Sequence, residues 1–272
     1  MELIALILSG LFSLAGSGGL VAERLSQSLL RDQIQSADKL EVRIDNRPNY
    51  QILQGHVDRL RVAGRGVVLR PTRRDNGATL RLQAVDLETD PIDLNPSSLQ
   101  LRRPLGAAVR LVLRAEDLNQ ALQSPAAQCQ LQRLGRGLGP GYTLSEPQVE
   151  FLSNGRIRLR GSLRRGNQDP NALTAVFEAA PQVQQGARLL LNQPSLTLNG
   201  QPVPLAFYQR LLDGLSQEYD LRRFQSQGIT ARVLQLNSTP GELELVAYVR
   251  TNQLPARSGR RSRRVVGETE RP

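Results

Sequence analysis

The chain has 272 residues, 39% of them hydrophobic and 22% charged, which is room for one large domain or two small ones. One cysteine (Cys129) and one histidine (His56) exclude an internal disulfide framework and a structural Cys/His zinc site. The net charge of +10 rests almost wholly on Arg, with Lys39 the only lysine, and aromatics make up 4% with no Trp; this favours an anionic partner and argues against a base-stacking platform.

The N-terminus reads MELIALILSGLFSLAGSGGLVAERL. Its apolar run, residues 3–15, is shorter than the ~20 residues a membrane-spanning helix needs. It matches the length of a signal-peptide core, but Glu2 stands where a positive residue belongs. Residues 1–19 therefore read as a separate segment with three readings open: an export signal or uncleaved anchor, a helix on a membrane surface, or a buried N-terminal helix. Residues 20–36 follow with helical spacing, Leu25, Leu29 and Ile34 falling near one face.

Alternation then takes over. Leu40, Val42 and Ile44 alternate with Glu41, Arg43 and Asp45, and Asp45-Asn46-Arg47-Pro48-Asn49 carries turn chemistry. Leu60 and Val62 resume the pattern, Gly64 and Gly66 flank Arg65, and the apolar face reappears at Val67 and Leu69 with changed parity. Glycine inside such a strand marks a bulge, and a bulge bends a sheet. Residues 78–90 alternate and switch parity near Ala84, residues 107–113 form a strand, and residues 114–125 form a short helix before Pro125. Residues 143–163 read as two strands joined at Ser153-Asn154-Gly155. Strands are expected at 172–179 and 187–200, helices at 204–215 and 220–228, and a closing strand pair at 228–238 and 241–250. Asp220 and Gly228 suit the start and stop of the second helix. Strands outnumber helices, which defines an α+β class with an antiparallel sheet. The main domain is expected over 20–253. Residues 254–272 form a basic tail expected to be disordered, with six Arg against two Glu over 256–272.

Chemistry-bearing clusters are sparse. A Cys129–His56 nucleophile pair would draw on a helix and a strand rather than a nucleophile loop. The acidic stretch DLETDPIDL (86–94) has no glycine to fold carboxylates around a metal. LGRGLGPG (134–141) lacks the lysine of a phosphate-binding loop and reads as a flexible loop. The segment GRIRLRGSLRR (155–165) is more informative: Ile157, Leu159 and Leu163 take one face, and Arg156, Arg158, Arg160 and Arg164 the other. The plain reading is a solvated strand face. The functional one is a stripe for anionic headgroups, each cation near such a leaflet being worth about 1 kcal/mol. No aromatics interleave the stripe and no DNA- or RNA-binding motif accompanies it, so a lipid surface is favoured over nucleic acid.

Five blocks together, LEVRIDNRPNYQILQGHVDRLRVAGRG, LETDPIDL, AAVRLVLRAEDLNQALQSP, LTLNGQPVP and DLRRFQSQGITARVLQL, resemble the LmeA-like phospholipid-binding family, most closely its cyanobacterial branch, over residues 20 to 250. The resemblance implies a strongly curved antiparallel sheet wrapped around helices, similar to tubular lipid-binding domains of the bactericidal/permeability-increasing type. It also implies phospholipid binding at the cell envelope without a catalytic role. The residues expected to line such a groove are Leu60, Val62, Val109, Leu111, Val149, Phe151, Ile157, Leu159, Leu196 and Leu198; the alternative is that they pack on one another. The resulting expectation is a non-enzymatic phospholipid-binding protein, with lipid carriage as one form of that role, without cofactor or metal. It would be membrane-associated on the periplasmic side of the envelope, with cytoplasmic-face association the alternative. Its partners would be phospholipid and an anionic membrane surface; the oligomeric state stays open. Two further readings are a scaffold of the same fold with a filled core, and a nucleic-acid-associated protein acting through the basic tail.

Overall fold

A computed structural model describes residues 34–69, 79–95, 97, 100–125, 127–129, 142–165 and 172–252. The apolar N-terminal segment, the 134–141 loop and the basic tail lie outside the described residues. In chain order the strands are β1 (Ile34–Ser36), β2 (Lys39–Asp45), β3 (His56–Val57), β4 (Arg59–Leu69), β5 (Arg81–Thr89), β6 (Ile92–Asp93), β7 (Leu105–Arg114), β8 (Tyr142–Phe151), β9 (Ile157–Arg165), β10 (Leu173–Gln184), β11 (Arg188–Leu198), β12 (Gln201–Pro202), β13 (Ile229–Thr239) and β14 (Glu242–Thr251). The α-helices α1 (Ala115–Leu122) and α2 (Gln209–Glu218), and 3₁₀ segments at Asn49–Gln54, Leu205–Phe207 and Leu221–Gln227, lie between them.

All strand pairings among the described residues are antiparallel. A seven-stranded sheet runs β1-β4-β5-β7-β14-β13, with β2 also on β4. A five-stranded sheet runs β12-β11-β10-β9-β8, and β3 pairs β6 in a small ribbon. The fold is thus sheet-rich with few helices, and neither large sheet closes into a barrel.

The seven-stranded sheet holds the main core. Leu60, Val62, Leu82, Leu87, Leu105, Val109, Leu111 and Val249 are all buried in one cluster. The parity change expected in β4 is present: buried positions run 60, 62, 64, 66 and then 67, 69. Gly66 makes the switch with φ of 57°, a left-handed conformation that costs glycine least. A Cβ at Gly66 would lie 2.1 Å from the Asp38 carboxylate, which pairs with Arg81 across the sheet at 2.5 Å. The adjacent strand β5 changes parity between Ala84 and Val85.

Hydrogen bonds join the two large sheets at both ends. Val233 N donates to Gly186 O at 2.7 Å and Leu221 N to Ala187 O at 2.9 Å, so the β10–β11 turn docks on β13. At the other end Gly241 N donates to Phe151 O at 3.2 Å.

Three expected helices differ in detail. The helix expected over 20–36 ends in strand: Ile34 and Ser36 pair with Leu69 and Val68, because the end of β4 beyond β2 needs partners for its backbone groups. The expected helix 204–215 is broken at Tyr208, with φ of −119° and ψ of 2°. Helical spacing would put Leu205, Tyr208, Leu212 and Leu215 on one side; with the break Leu205 is exposed, while Tyr208 is buried. The helix expected at 220–228 is a 3₁₀ segment with the expected ends. Asp220 caps it by accepting from Arg222 N, and Gly228 closes it with φ of 74°. The short helix α1 ends at Leu122, ahead of Pro125.

Candidate functional site

The five-stranded sheet has one apolar face, fixed by register. Val149, Leu159, Phe177 and Leu196 stand side by side across β8, β9, β10 and β11. Phe151, Ile157 and Ala179 form the next row, and Gly161, Ala175 and Leu198 the row on the other side. Side chains two apart on a strand share a face, so these rows make one continuous surface. Leu163, Ala175 and Ala179 are buried on it.

Burial on this face is uneven. Val149 and Phe151 on the outer strand β8 are buried, as is Leu196 on β11. Leu159, Ile157 and Phe177, on the central strands β9 and β10, are only half-buried. The small Ala175 and Ala179 beside them on β10 are buried, so what stays partly uncovered is the set of large side chains at the middle of the face. None of these residues belongs to the main core cluster.

Each border of the face has its own cover. At β8, Asn119 of α1 bonds both exposed backbone groups of Val149: Val149 N donates to Oδ1 at 2.6 Å and Nδ2 donates to Val149 O at 3.0 Å. This blocks the sheet edge. At β11, the Tyr208 ring meets Phe177 edge-on, centroids 6.4 Å apart at 87°. Its hydroxyl donates to Pro194 O at 3.1 Å. Close glycine packing also shapes the face: a Cβ at Gly161 would lie 2.8 Å from Leu144 Cδ1.

The ten expected lining residues fall into two groups. Leu60, Val62, Val109 and Leu111 lie in the packed core of the seven-stranded sheet. Val149, Phe151, Ile157, Leu159, Leu196 and Leu198 lie together on the apolar face of the five-stranded sheet. Phe177 and Tyr208 join them and are not among the ten expected lining residues. The parity of TAVFEA already places Phe177 with Ala175 and Ala179, and helical spacing places Tyr208 on the apolar side of 204–215 with Leu212 and Leu215; neither names the sheet face it meets.

The four expected stripe arginines are also divided. Arg158 is clamped between Glu178 at 2.6 Å and Glu150 at 3.0 Å, and these two carboxylates raise its pKa above the ordinary arginine value. Arg156 lies 3.6 Å from Glu178 and donates to Gln193 O at 3.0 Å. Arg160 and Arg164 are exposed and make no ion pair among the described residues.

The outer face of the seven-stranded sheet is charged but largely self-neutralised. Arg65, Asp86, Arg110 and Glu244 link β4, β5, β7 and β14 in an alternating chain, with Arg65–Asp86 at 2.6 Å and Asp86–Arg110 at 3.1 Å. Exposed pairs of this kind each contribute about 0–1 kcal/mol. A cleft of about 400 Å³ crosses this face between Arg61, Asp86 and Arg110. Cys129 is exposed, and His56 in β3 faces Asp58 at 3.1 Å rather than a thiol. No group of three or more His, Cys, Asp or Glu gathers as a metal site among the described residues. No helix among them is long and apolar enough to cross a membrane.

Fold and face together define an antiparallel, sheet-rich protein that leaves an apolar surface partly uncovered at its centre. The chain belongs to the LmeA-like phospholipid-binding family, whose model matches residues 15–247. No curated protein and no solved structure matches the chain. The family is a phospholipid-binding one rather than an enzyme class, and it brings with it a phospholipid partner and membrane association.

Proposed function

We propose that this protein holds phospholipid acyl chains against the apolar face of the five-stranded sheet, as a non-enzymatic binder or carrier at the cell envelope. Its floor is Val149, Phe151 and Leu196, and its open centre is Ile157, Leu159 and Phe177. The carrying observation is that the large side chains Ile157, Leu159 and Phe177 stay only half-buried in the middle of this face, although Val149, Phe151, Leu196, Ala175 and Ala179 around them are buried. Family membership supplies the class of ligand. In this reading the two sheets bend toward each other around the bound chains, as the expected tubular wrap requires. Leu60, Val62, Val109 and Leu111 form the wall behind rather than the contact surface.

Acyl chains suit such a surface energetically. Burying roughly ten methylenes yields about 8 kcal/mol, enough to outweigh the low end of the association cost. No dedicated polar recognition is needed. Arg160 and Arg164, both exposed on β9, are the members of the stripe left to meet a phosphate.

A paired substitution tests the assignment. Leu159→Asp places a charge in the open centre and should abolish binding of a fluorescent phospholipid while circular dichroism stays strand-rich. Leu111→Asp buries the same charge in the main core and should unfold the protein. Undiminished lipid binding by folded Leu159→Asp would overturn the acyl site. Loss of the sheet signal in Leu159→Asp would show that the face is a filled core, which is the scaffold reading.

A further inference from the structure

The 3₁₀ segment Asn49–Gln54 exposes two large side chains that the fold does not use. Tyr50 is 62% and Leu53 56% exposed. The segment is nevertheless anchored. Asp58 N donates to Asn46 Oδ1 at 2.7 Å and Arg47 N to Asp58 Oδ2 at 2.7 Å, which ties the turn before it to the start of β4. Leu94 N donates to Gly55 O at 2.8 Å, which ties its end to the β3–β6 ribbon. Gly55 closes the turn with φ of 84°. Two apolar side chains are thus held outward on a fixed turn.

The surroundings are basic. Arg43 and Arg61 share the carboxylate of Asp45. Arg102 and Arg103 share that of Asp93, at 3.6 and 3.2 Å. The Arg47 guanidinium has no ion pair among the described residues; Arg59 pairs with Glu88 at 3.3 Å, and Asp58 is engaged by the Arg47 backbone N–H and His56. Positive charge is therefore in excess. A cleft of about 600 Å³ opens beside Asn49, lined by Arg43, Arg47, Arg59 and Arg61 with Asp45 and Asp58.

We infer that this turn is a membrane-docking tip: Tyr50 and Leu53 enter the outer layer of an anionic phospholipid bilayer while Arg47 and its neighbours meet the phosphates. An amphipathic ring and an aliphatic chain at one point suit the boundary between headgroups and acyl chains. Leu53 gives no stacking surface, so a bilayer fits better than nucleic acid. The inference rests on the phospholipid-binding reading above and adds the place where the protein meets the membrane that supplies its ligand. It assigns docking to a site remote in sequence from the β9 stripe, two of whose arginines are already occupied.

The absence of tryptophan makes a local test possible in the full chain. Leu53→Trp places a single reporter on the tip, and Leu234→Trp places one at a comparably exposed site on β13, where Leu234 is 64% exposed. On phosphatidylcholine vesicles containing phosphatidylglycerol, Trp emission from the Leu53→Trp protein should move to shorter wavelength and be quenched by brominated acyl chains. The Leu234→Trp protein should show neither change. Combining Leu53→Trp with Arg47→Gln and Arg103→Gln should raise the vesicle concentration needed for the shift by roughly fivefold per charge removed. An unshifted signal from Leu53→Trp on vesicle-bound protein would overturn the tip, because attachment would then run through another segment. A shift induced by duplex DNA or RNA but not by vesicles would also overturn it. Phospholipid extracted from the same preparations keeps the two proposals separate: lipid present with no shift removes the tip alone, and a shift without bound lipid leaves the tip and removes the acyl site.

Discussion

At the scale of single residues, stability depends on a few close approaches between strands. Gly106 in β7 leaves room for a hydrogen bond between the Tyr248 hydroxyl and Asp90; a Cβ there would lie 2.0 Å from the hydroxyl oxygen. Tyr248→Phe should cost about 1 kcal/mol in a urea melt, and Gly106→Ala should cost as much or more by displacing the same pair. The double variant should fall well short of the sum, since both changes remove one interaction. Bonding to Asp90, and then burial, raise the Tyr248 pKa above the ordinary tyrosine value. The stability this supplies is complete below about pH 10 and is lost as pH rises through the folded value; Tyr248→Phe should lack this alkaline loss. The acid side has the opposite sign. Asp45, paired first with Arg61 and then Arg43, has a lowered pKa. So have Asp58, bonded first by the Arg47 N–H, and Asp220, bonded first by Arg222. Their contribution is complete above about pH 4 and disappears as pH falls through the folded values. Melting temperature against pH, compared with Asp45→Asn, checks this: the variant should show a shallower acid decline.

At the scale of elements, the informative contact is α1 against β8. Asn119→Ala should remove both bonds to Val149 and destabilise the protein by about 1–2 kcal/mol. It should also unblock an edge strand, so the variant should associate with rising concentration in light scattering. Most elements could be read from the sequence because alternation and turn chemistry agree there. Leu40 to Asp45, the glycine-marked switch at Gly66, and the hairpin at Asn154-Gly155 all stand where the pattern puts them. The misread elements are those decided by neighbours. Ile34–Ser36 is strand because β4 offers it an edge, and Leu205 leaves its helix because the chain turns at Tyr208. The candidate site was half legible. Parity alone put Ile157, Leu159, Val149 and Phe151 on an apolar face. Parity could not separate a packed core from an open face, because Val62 and Leu159 obey the same alternation and differ only in what covers them. The arginine stripe failed to reveal its partners for a related reason: Glu150 and Glu178 reach Arg158 from the neighbouring strands.

At the scale of the whole molecule, the two sheets have different roles. The seven-stranded sheet contains the packed core and an outer face of mutually neutralised charges. The five-stranded sheet keeps an apolar face with covered borders and a half-open centre. A protein that only needed to be stable would bury that centre, since each additional covered methylene contributes about 0.8 kcal/mol. Leaving it open is consistent with a guest that completes the core when bound, and such a guest should raise the unfolding temperature in proportion to its affinity. The most direct test is native mass spectrometry of the full chain purified without detergent, followed by extraction and identification of lipid. The account predicts phospholipid bound near one-to-one, lost in Leu159→Asp and retained in Leu53→Trp. A protein that emerges empty and takes up no added phospholipid would contradict it.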